Sequence, residues 1–540
     1  MESRAYLLSF VSGVSSEVLL FSRGEWDRYA PTILKSLTLS ALGSFCLLWK
    51  GLGLSLIAAL RETTLLGAVF LLGLFSSMAI YRLFFHPLRA FPGPVAARLS
   101  ALWVFKESCP DLRFYVKLRQ LHNQYGDFIR IRPREISICN PDAVVDIHGP
   151  RNHIRKGEFY DQLSPHRSLQ MTRDPAFHSR KRRYWDKAFQ TKSLQEYMPR
   201  LRKHYGTLLD IFTRHAASGE PIDMSDSFMY LGFDLISELT FGESFDMLST
   251  GIPNEIIGEF IQGKKFVGFM VLSMWLFYLL KALPPIHDRI EYWLMWYERA
   301  LDKRKAMDLQ SPDFYTHISQ AENFEHDRSH EAQLAIVAGS DTVAITLTNV
   351  CYLLCRYPEY QKKLFEEVGE LPDEDGLIDD QILVGKPCLL GIINEALRLY
   401  PPVPSGVQRL TPPEGAVIAG RYIPGNTVVT TPTYALQRAD KRAFVKPDDF
   451  IPERWFSQPE LILRKDAFFP FSYGAYNCAG KPMAMMELRM SLAMVIKRFS
   501  LSFAPGKEAE CQRFVEDQAD CFIMHLHPLP LILKRRAGTE

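Results

Sequence analysis

Paired cysteines are missing from this 540-residue chain. Its nine cysteines are scattered, with no Cys-x-x-Cys spacing; Cys351 and Cys355 stand one helical turn apart without a matching pair. That excludes a zinc module and a disulfide framework, and fits a reducing compartment. Excess charge is missing too: 63 Lys plus Arg face 61 Asp plus Glu, a net of +2. A nucleic-acid binder would carry a strongly basic domain, so no nucleic-acid partner is expected. No glycine-rich nucleotide fingerprint precedes a helix, so no dinucleotide site of that kind is expected. What is present is 47% apolar residues, enough for a large core. The length suits one large catalytic unit with an N-terminal extension.

That extension reads as membrane. Residues 63–81 carry no charge and are long enough to cross a bilayer core. Residues 36–60 are also apolar but broken by Lys50, and 6–21 form a weaker run carrying Glu17. The 63–81 run is too long and too late for a cleaved signal peptide. Arg82, Arg89 and Arg98 follow it with no acid until Glu107, which places the bulk of the chain in the cytoplasm. Residues 1–85 are therefore expected to be an anchor. Residues 86–94 hold three prolines and read as a stiff arm, and 95–540 as the catalytic domain.

Beyond the arm, 112–125 have helical spacing ended by Gly126, and 128–138 alternate like a hairpin around Pro133. Residues 266–280 are charge-free between Lys264-Lys265 and Lys281. They read as a buried helix or as a membrane-dipping surface, and Pro284-Pro285 ends the run.

Four motifs carry chemistry. Phe471-Ser-Tyr-Gly474-Ala-Tyr476-Asn-Cys478-Ala-Gly480 brackets one cysteine with glycines just before a helix. Alone, such a cysteine is usually a small buried hydrophobe. A helix N-terminus can also lower a thiol pKa, and a cysteine thiolate is an axial haem ligand. Ala338-Gly339-Ser340-Asp341-Thr342 lies inside a long helical run from about Ser329 to Arg356. Glycine there costs about 1 kcal/mol against alanine, so it is expected to make room for a ligand beside an acid and a hydroxyl able to relay protons. Glu395 and Arg398 share a helix face ahead of Tyr400-Pro401-Pro402, and Arg454 follows in Pro452-Glu-Arg454-Trp455. His178 and Arg182 stand one turn apart in a basic helix that also holds Arg180, Lys181 and Arg183.

The cysteine loop, with Gly at +3, Cys at +7 and Gly at +9 from Phe471, resembles the haem-binding loop of the cytochrome P450 family. The proline arm and the other motifs fall in that family's order, and the resemblance runs from the arm to about Arg536. It implies a mainly helical fold with a small β-rich lobe. It implies haem b ligated by Cys478, with Phe471, Gly474 and Gly480 shaping the loop. Asp341 and Thr342 match the oxygen-activating pair; Val343 departs from the hydroxyl residue often found next. Glu395, Arg398 and Arg454 match a structural network behind the haem. Ala338, Gly339, Val403 and Val407 would line the substrate pocket.

One departure stands out. The family commonly has arginine two residues before the cysteine, on a haem propionate; here Tyr476 stands there. The resemblance then assigns propionate binding to Arg182, His178 and Arg409. It also puts the remaining basic residues of the Arg182 helix on the side where an acidic reductase docks. The implied reaction inserts one atom of O2 into a lipophilic small molecule, in the manner of fungal secondary-metabolism enzymes. Its electrons come from NADPH through a separate NADPH–cytochrome P450 reductase. The implied setting is the endoplasmic reticulum membrane, with membrane lipid as neighbour and the catalytic domain cytoplasmic. Two rivals are a haem-thiolate isomerase or dehydratase that needs no O2, and a non-enzymatic membrane haem protein or carrier. The Asp341–Thr342 pair weighs against the first, and confinement of the spans to residues 1–85 against the second.

Overall fold

The computed structural model describes residues 2–150, 153–439 and 442–537. The chain forms two compact units, one of residues 1–107, 128–136 and 269–290, the other of 108–127, 137–268 and 291–540.

In the first unit, three helical stretches are long and apolar enough to cross a membrane: Ser3–Phe21, Asp27–Gly51 and Leu56–Phe85. Only 11%, 0% and 11% of their most apolar windows are buried, so the rest of the described chain leaves most of their apolar surface uncovered. The expected 36–60 span is corrected. The chain breaks after Gly51, with Gly53 at φ +71°, and Ser55 caps the next helix by accepting the N–H of Ala58. Residues 56–60 therefore belong to the third span.

Glu2–Ser16 runs parallel to Leu56–Ile80. Ser9 Oγ donates to Leu66 O at 2.7 Å, and one turn on, Gly13 meets Phe70. The contact is backbone on backbone: a Cβ on Gly13 would lie 2.2 Å from Phe70 O, and one on Gly73 2.3 Å from Phe10 O. Small residues at a helix crossing are how membrane helices associate where no hydrophobic drive exists.

The proline segment is not the stiff extended arm its composition suggests. Pro87–Ala90 is a 3-10 turn, and the buried Arg130 pins the segment. Arg130 N donates to Pro92 O, and its guanidinium donates to Arg82 O and Pro133 O at 2.8–3.1 Å. The run around 266–280 is a pair of helices, and Met274–Lys281 packs on Ala30–Cys46. Pro284-Pro285 does end it, and at the same time opens the helix Pro284–Ala306.

The second unit is mainly helical. Its longest helix, Phe324–Arg356, is apolar enough for a membrane, but 72% of its apolar window is buried in protein, so it is a core element. It packs on Met224–Phe241, Pro387–Leu399 and Lys481–Arg498. The small sheets are antiparallel. Phe499–Phe503 pairs with Pro530–Arg535, which also pairs with Ile222–Asp223. Arg155–Lys156 pairs with Arg409–Leu410, which pairs with Val428–Thr430, and this register sets Lys156 directly opposite Arg409.

Candidate functional site

Cys478 sits at the turn before Lys481–Arg498. Its N–H donates to Phe471 O at 2.8 Å, closing the loop. Gly474 is required there: its φ is +70°, and a Cβ would lie 1.9 Å from His148 O. Gly480 has an ordinary φ of −79°, so no unusual dihedral is involved. It leaves open the flank of the sulfur, where a Cβ would meet Phe189 at 3.9 Å and Cys478 Sγ at 4.0 Å. Burial pushes the Cys478 thiol up. The N–H of Gly480, the charge of Arg182 and the N–H and charge of Lys481 push it down. Those donors are the groups that favour a thiolate.

Arg182, on the helix Pro175–Ala188, is committed to this loop. Its fork donates to Asn477 O at 2.6 Å and Asn477 Oδ1 at 2.7 Å, and its Nε to Asp186 at 2.7 Å. It braces the residue before the cysteine. His178, one turn earlier, is buried edge-on to the Tyr476 ring, with centroids 4.7 Å apart. Burial, then Lys156, Arg182 and Arg409, hold its pKa down to about 3, so it serves as a neutral imidazole. Arg409 is buried, with its guanidinium carbon 5.2 Å from the Tyr476 ring centroid. It donates to Tyr160 Oη and Gln408 O, while its Nε has no partner among the described residues. Lys181 is not a docking residue: it is buried and paired with Glu331 at 2.9 Å and Asp327 at 3.4 Å. Arg180 and Arg183 of the same helix are exposed.

Behind the loop, Glu395 accepts from Arg398 at 2.8 and 2.9 Å, Arg454 at 2.9 Å, Trp455 Nε1 at 2.9 Å and Ile451 N at 3.1 Å. All three charged side chains are 0% exposed. The remaining guanidinium N–H groups go to backbone oxygens of Gln437, Pro447, Asp449, Val445, Lys446 and Leu461. A buried ionic group holds its place only when satisfied in this way.

On the long helix, Asp341 is buried and accepts from Lys264 Nζ at 2.7 Å. Lys264 belongs to Glu255–Val271, so the acid is tied to that helix. Thr342 Oγ1 donates to Ala338 O at 3.0 Å. The space expected beside Gly339 is filled by protein: a Cβ there would meet Ile236 at 3.0 and 3.2 Å, so the glycine serves helix packing. Ala338, Thr342, Val403 and Val407 are half-buried. His525 and His527 lie with rings 6.0 Å apart, and no metal-type cluster among the described residues includes them.

Lys156, Lys264 and Trp455 were not legible as partners in the sequence. The two lysines reach across distant segments, and only the Trp455 indole, next to Arg454, carried a local hint.

A single cysteine in a glycine-bracketed loop has N–H donors near its sulfur and buried cations near the same loop, a set that suits a thiolate beside an anionic group. The chain belongs to the cytochrome P450 family, whose profile it matches over residues 92–519. The cytochrome P450 monooxygenase nodW of Hypoxylon pulicicidum is 37% identical over 537 residues, 98% of each chain. The cytochrome P450 monooxygenase notG' of Aspergillus versicolor is 35% identical over 543 residues, 99% of this chain and 98% of its own. The tryprostatin B 6-hydroxylase of Aspergillus fumigatus is 34% identical over 485 residues, 88% of this chain and 86% of its own. Membership implies haem-thiolate iron. The residues fit it: Cys478 carries thiolate-favouring donors, and the buried Arg409 keeps an unpartnered Nε.

Proposed function

We propose that this protein is a membrane-anchored monooxygenase of fungal secondary metabolism that hydroxylates or otherwise oxygenates a lipophilic small molecule. The carrying observation is the buried Asp341 beside the half-buried Thr342, an acid and a hydroxyl on one stretch of the core helix. Relatives named monooxygenases and a hydroxylase support the same reading. Haem b, when held by Cys478, would supply the iron that activates dioxygen. The chain's own residues do the rest. N–H groups of Gly480 and Lys481 steady the sulfur, and Arg182 braces Asn477 next to it. Arg409 and the neutral His178 hold the cofactor's carboxylates. Asp341, which accepts from Lys264, and the Thr342 hydroxyl form the route by which protons enter the site, the acid–base role that pairs of this kind perform. Electrons come from NADPH through a separate reductase. Val403, Val407 and Ala338 face the substrate.

The test starts from the compound that accumulates when the gene is deleted. With reductase, NADPH and 18O2, the product should gain one 18O atom. Conversion without O2 or NADPH would replace this reading with an isomerase or dehydratase.

The anchor adds a topology. Because Glu2–Ser16 and Leu56–Ile80 run parallel, with Ala30–Cys46 between them in sequence, three crossings put residue 2 and the catalytic domain on opposite faces. With Arg82, Arg89 and Arg98 cytoplasmic, the N-terminal end is lumenal in the endoplasmic reticulum. A glycosylation acceptor fused ahead of residue 2 should be modified, and one inserted at 22–29 should not. The reverse pattern would contradict the three-span reading.

A further inference from the structure

Lys156 and Arg409 face each other across a strand pair, in direct register. Like charges directly opposite in a sheet repel. Both are buried, Lys156 at 4% and Arg409 at 2% exposure. Buried charges are normally paired. Yet no carboxylate lies within 4.0 Å of either among the described residues. The Lys156 ammonium has three donors. Two go to Leu169 O at 3.2 Å and Gln170 O at 2.6 Å. Beyond these it meets two aromatic faces, Tyr160 at 5.0 Å and Tyr476 at 4.9 Å from the ring centroids. Arg409 lies 5.2 Å from the same Tyr476 ring and keeps its Nε unpartnered. His178 closes the ring's edge. Burial and the repulsion of Arg409 and Arg182 also push the Lys156 ammonium down to about 7, against the attraction of Glu331.

Tyr476 stands where the resemblance expects an arginine. A third cation at that position would add to the repulsion between the two already present. An aromatic face instead attracts cations, by roughly 0.5–2 kcal/mol each. We propose that Tyr476 is a platform that gathers Lys156 and Arg409, and that Lys156 is the charged group that binds the haem carboxylate otherwise held by an arginine before the cysteine. The inference rests on the haem-thiolate reading above. It assigns a residue that no motif marks, from a strand of two residues.

The test is the rate at which purified holoprotein yields haem to excess apomyoglobin, followed by the shift of the haem absorption. Lys156→Met should lose haem at least about tenfold faster, the loss expected for one charge-assisted hydrogen bond. Lys156→Arg should stay within about threefold of wild type, since it keeps the charge. Lys156→Met/Tyr476→Arg should recover most of the retention, because the arginine replaces the missing cation. Haem loss from Lys156→Met at the wild-type rate overturns the proposal. So does Lys156→Arg behaving like Lys156→Met, which would make the lysine a packing element. Where Lys156→Met yields no folded holoprotein, the double variant decides: stable haem supports Lys156 as the cation that stands in for the arginine, and its absence counts against it. Wild-type protein with no thiolate-ligated haem would sink the cofactor reading itself, a result distinct from any of these.

Discussion

Glu395→Ala should cost about 3–5 kcal/mol of stability, the penalty for removing one partner of a buried ionic network. Glu395 receives five hydrogen bonds, from two guanidiniums, an indole and a backbone N–H. Alanine would leave Arg398 and Arg454 facing each other at 0% exposure with no anion between them. The backbone oxygens they also reach cannot neutralise two charges. Such a loss is a large share of the roughly 5–15 kcal/mol that holds a folded domain. The expected result is a catalytic domain that accumulates poorly, unfolds at much lower urea and carries little haem. Glu395→Gln keeps the acceptor oxygen and should fall between. A Glu395→Ala protein with its urea midpoint unchanged would show that the network contributes nothing to folding.

Asp341→Asn should lower product formation by about 10²–10⁴-fold, the usual worth of a positioned proton donor, while haem content stays near wild type. Asparagine keeps the shape and can still accept from Lys264, so the helix Glu255–Val271 keeps its contact. What it loses is an ionisable oxygen beside Thr342. Turnover is measured with NADPH and reductase under matched haem concentrations. Should Asp341→Asn turn over within about twofold of wild type, the acid serves only to anchor Lys264, and the proton route lies elsewhere.

Motifs whose chemistry depends on near neighbours were legible in the sequence. Gly474 is forced by a positive φ and by His148 O, and the loop's spelling carries that requirement. Glu395 and Arg398 are one turn apart on a helix, so their pairing is local. The apolar spans were legible from hydropathy, but the break at 52–55 was not, because it turns on a capping serine inside an otherwise apolar run. Long-range partners outside the resemblance, which did join Arg454 to Glu395, carried no signal. Lys264 reaches Asp341 across 77 residues, and Arg182 reaches Asn477 across 295. Gly339 is the instructive case: a mid-helix glycine announces that something comes close, but whether it is a ligand or Ile236 depends on the fold. Lys181 shows the same limit, since a basic run looks solvated until Glu331 is found beside one member. Lys156 lay in a stretch with no spacing pattern, and only strand register set it against Arg409.

The account turns on Cys478 as the thiolate ligand of haem. The direct measurement is the carbon monoxide difference spectrum of the dithionite-reduced holoprotein, recorded beside Cys478→Ala. The wild type should give the red-shifted band of thiolate-ligated haem and the variant should give none. A wild-type spectrum without that band, or a variant that keeps it, would contradict the account.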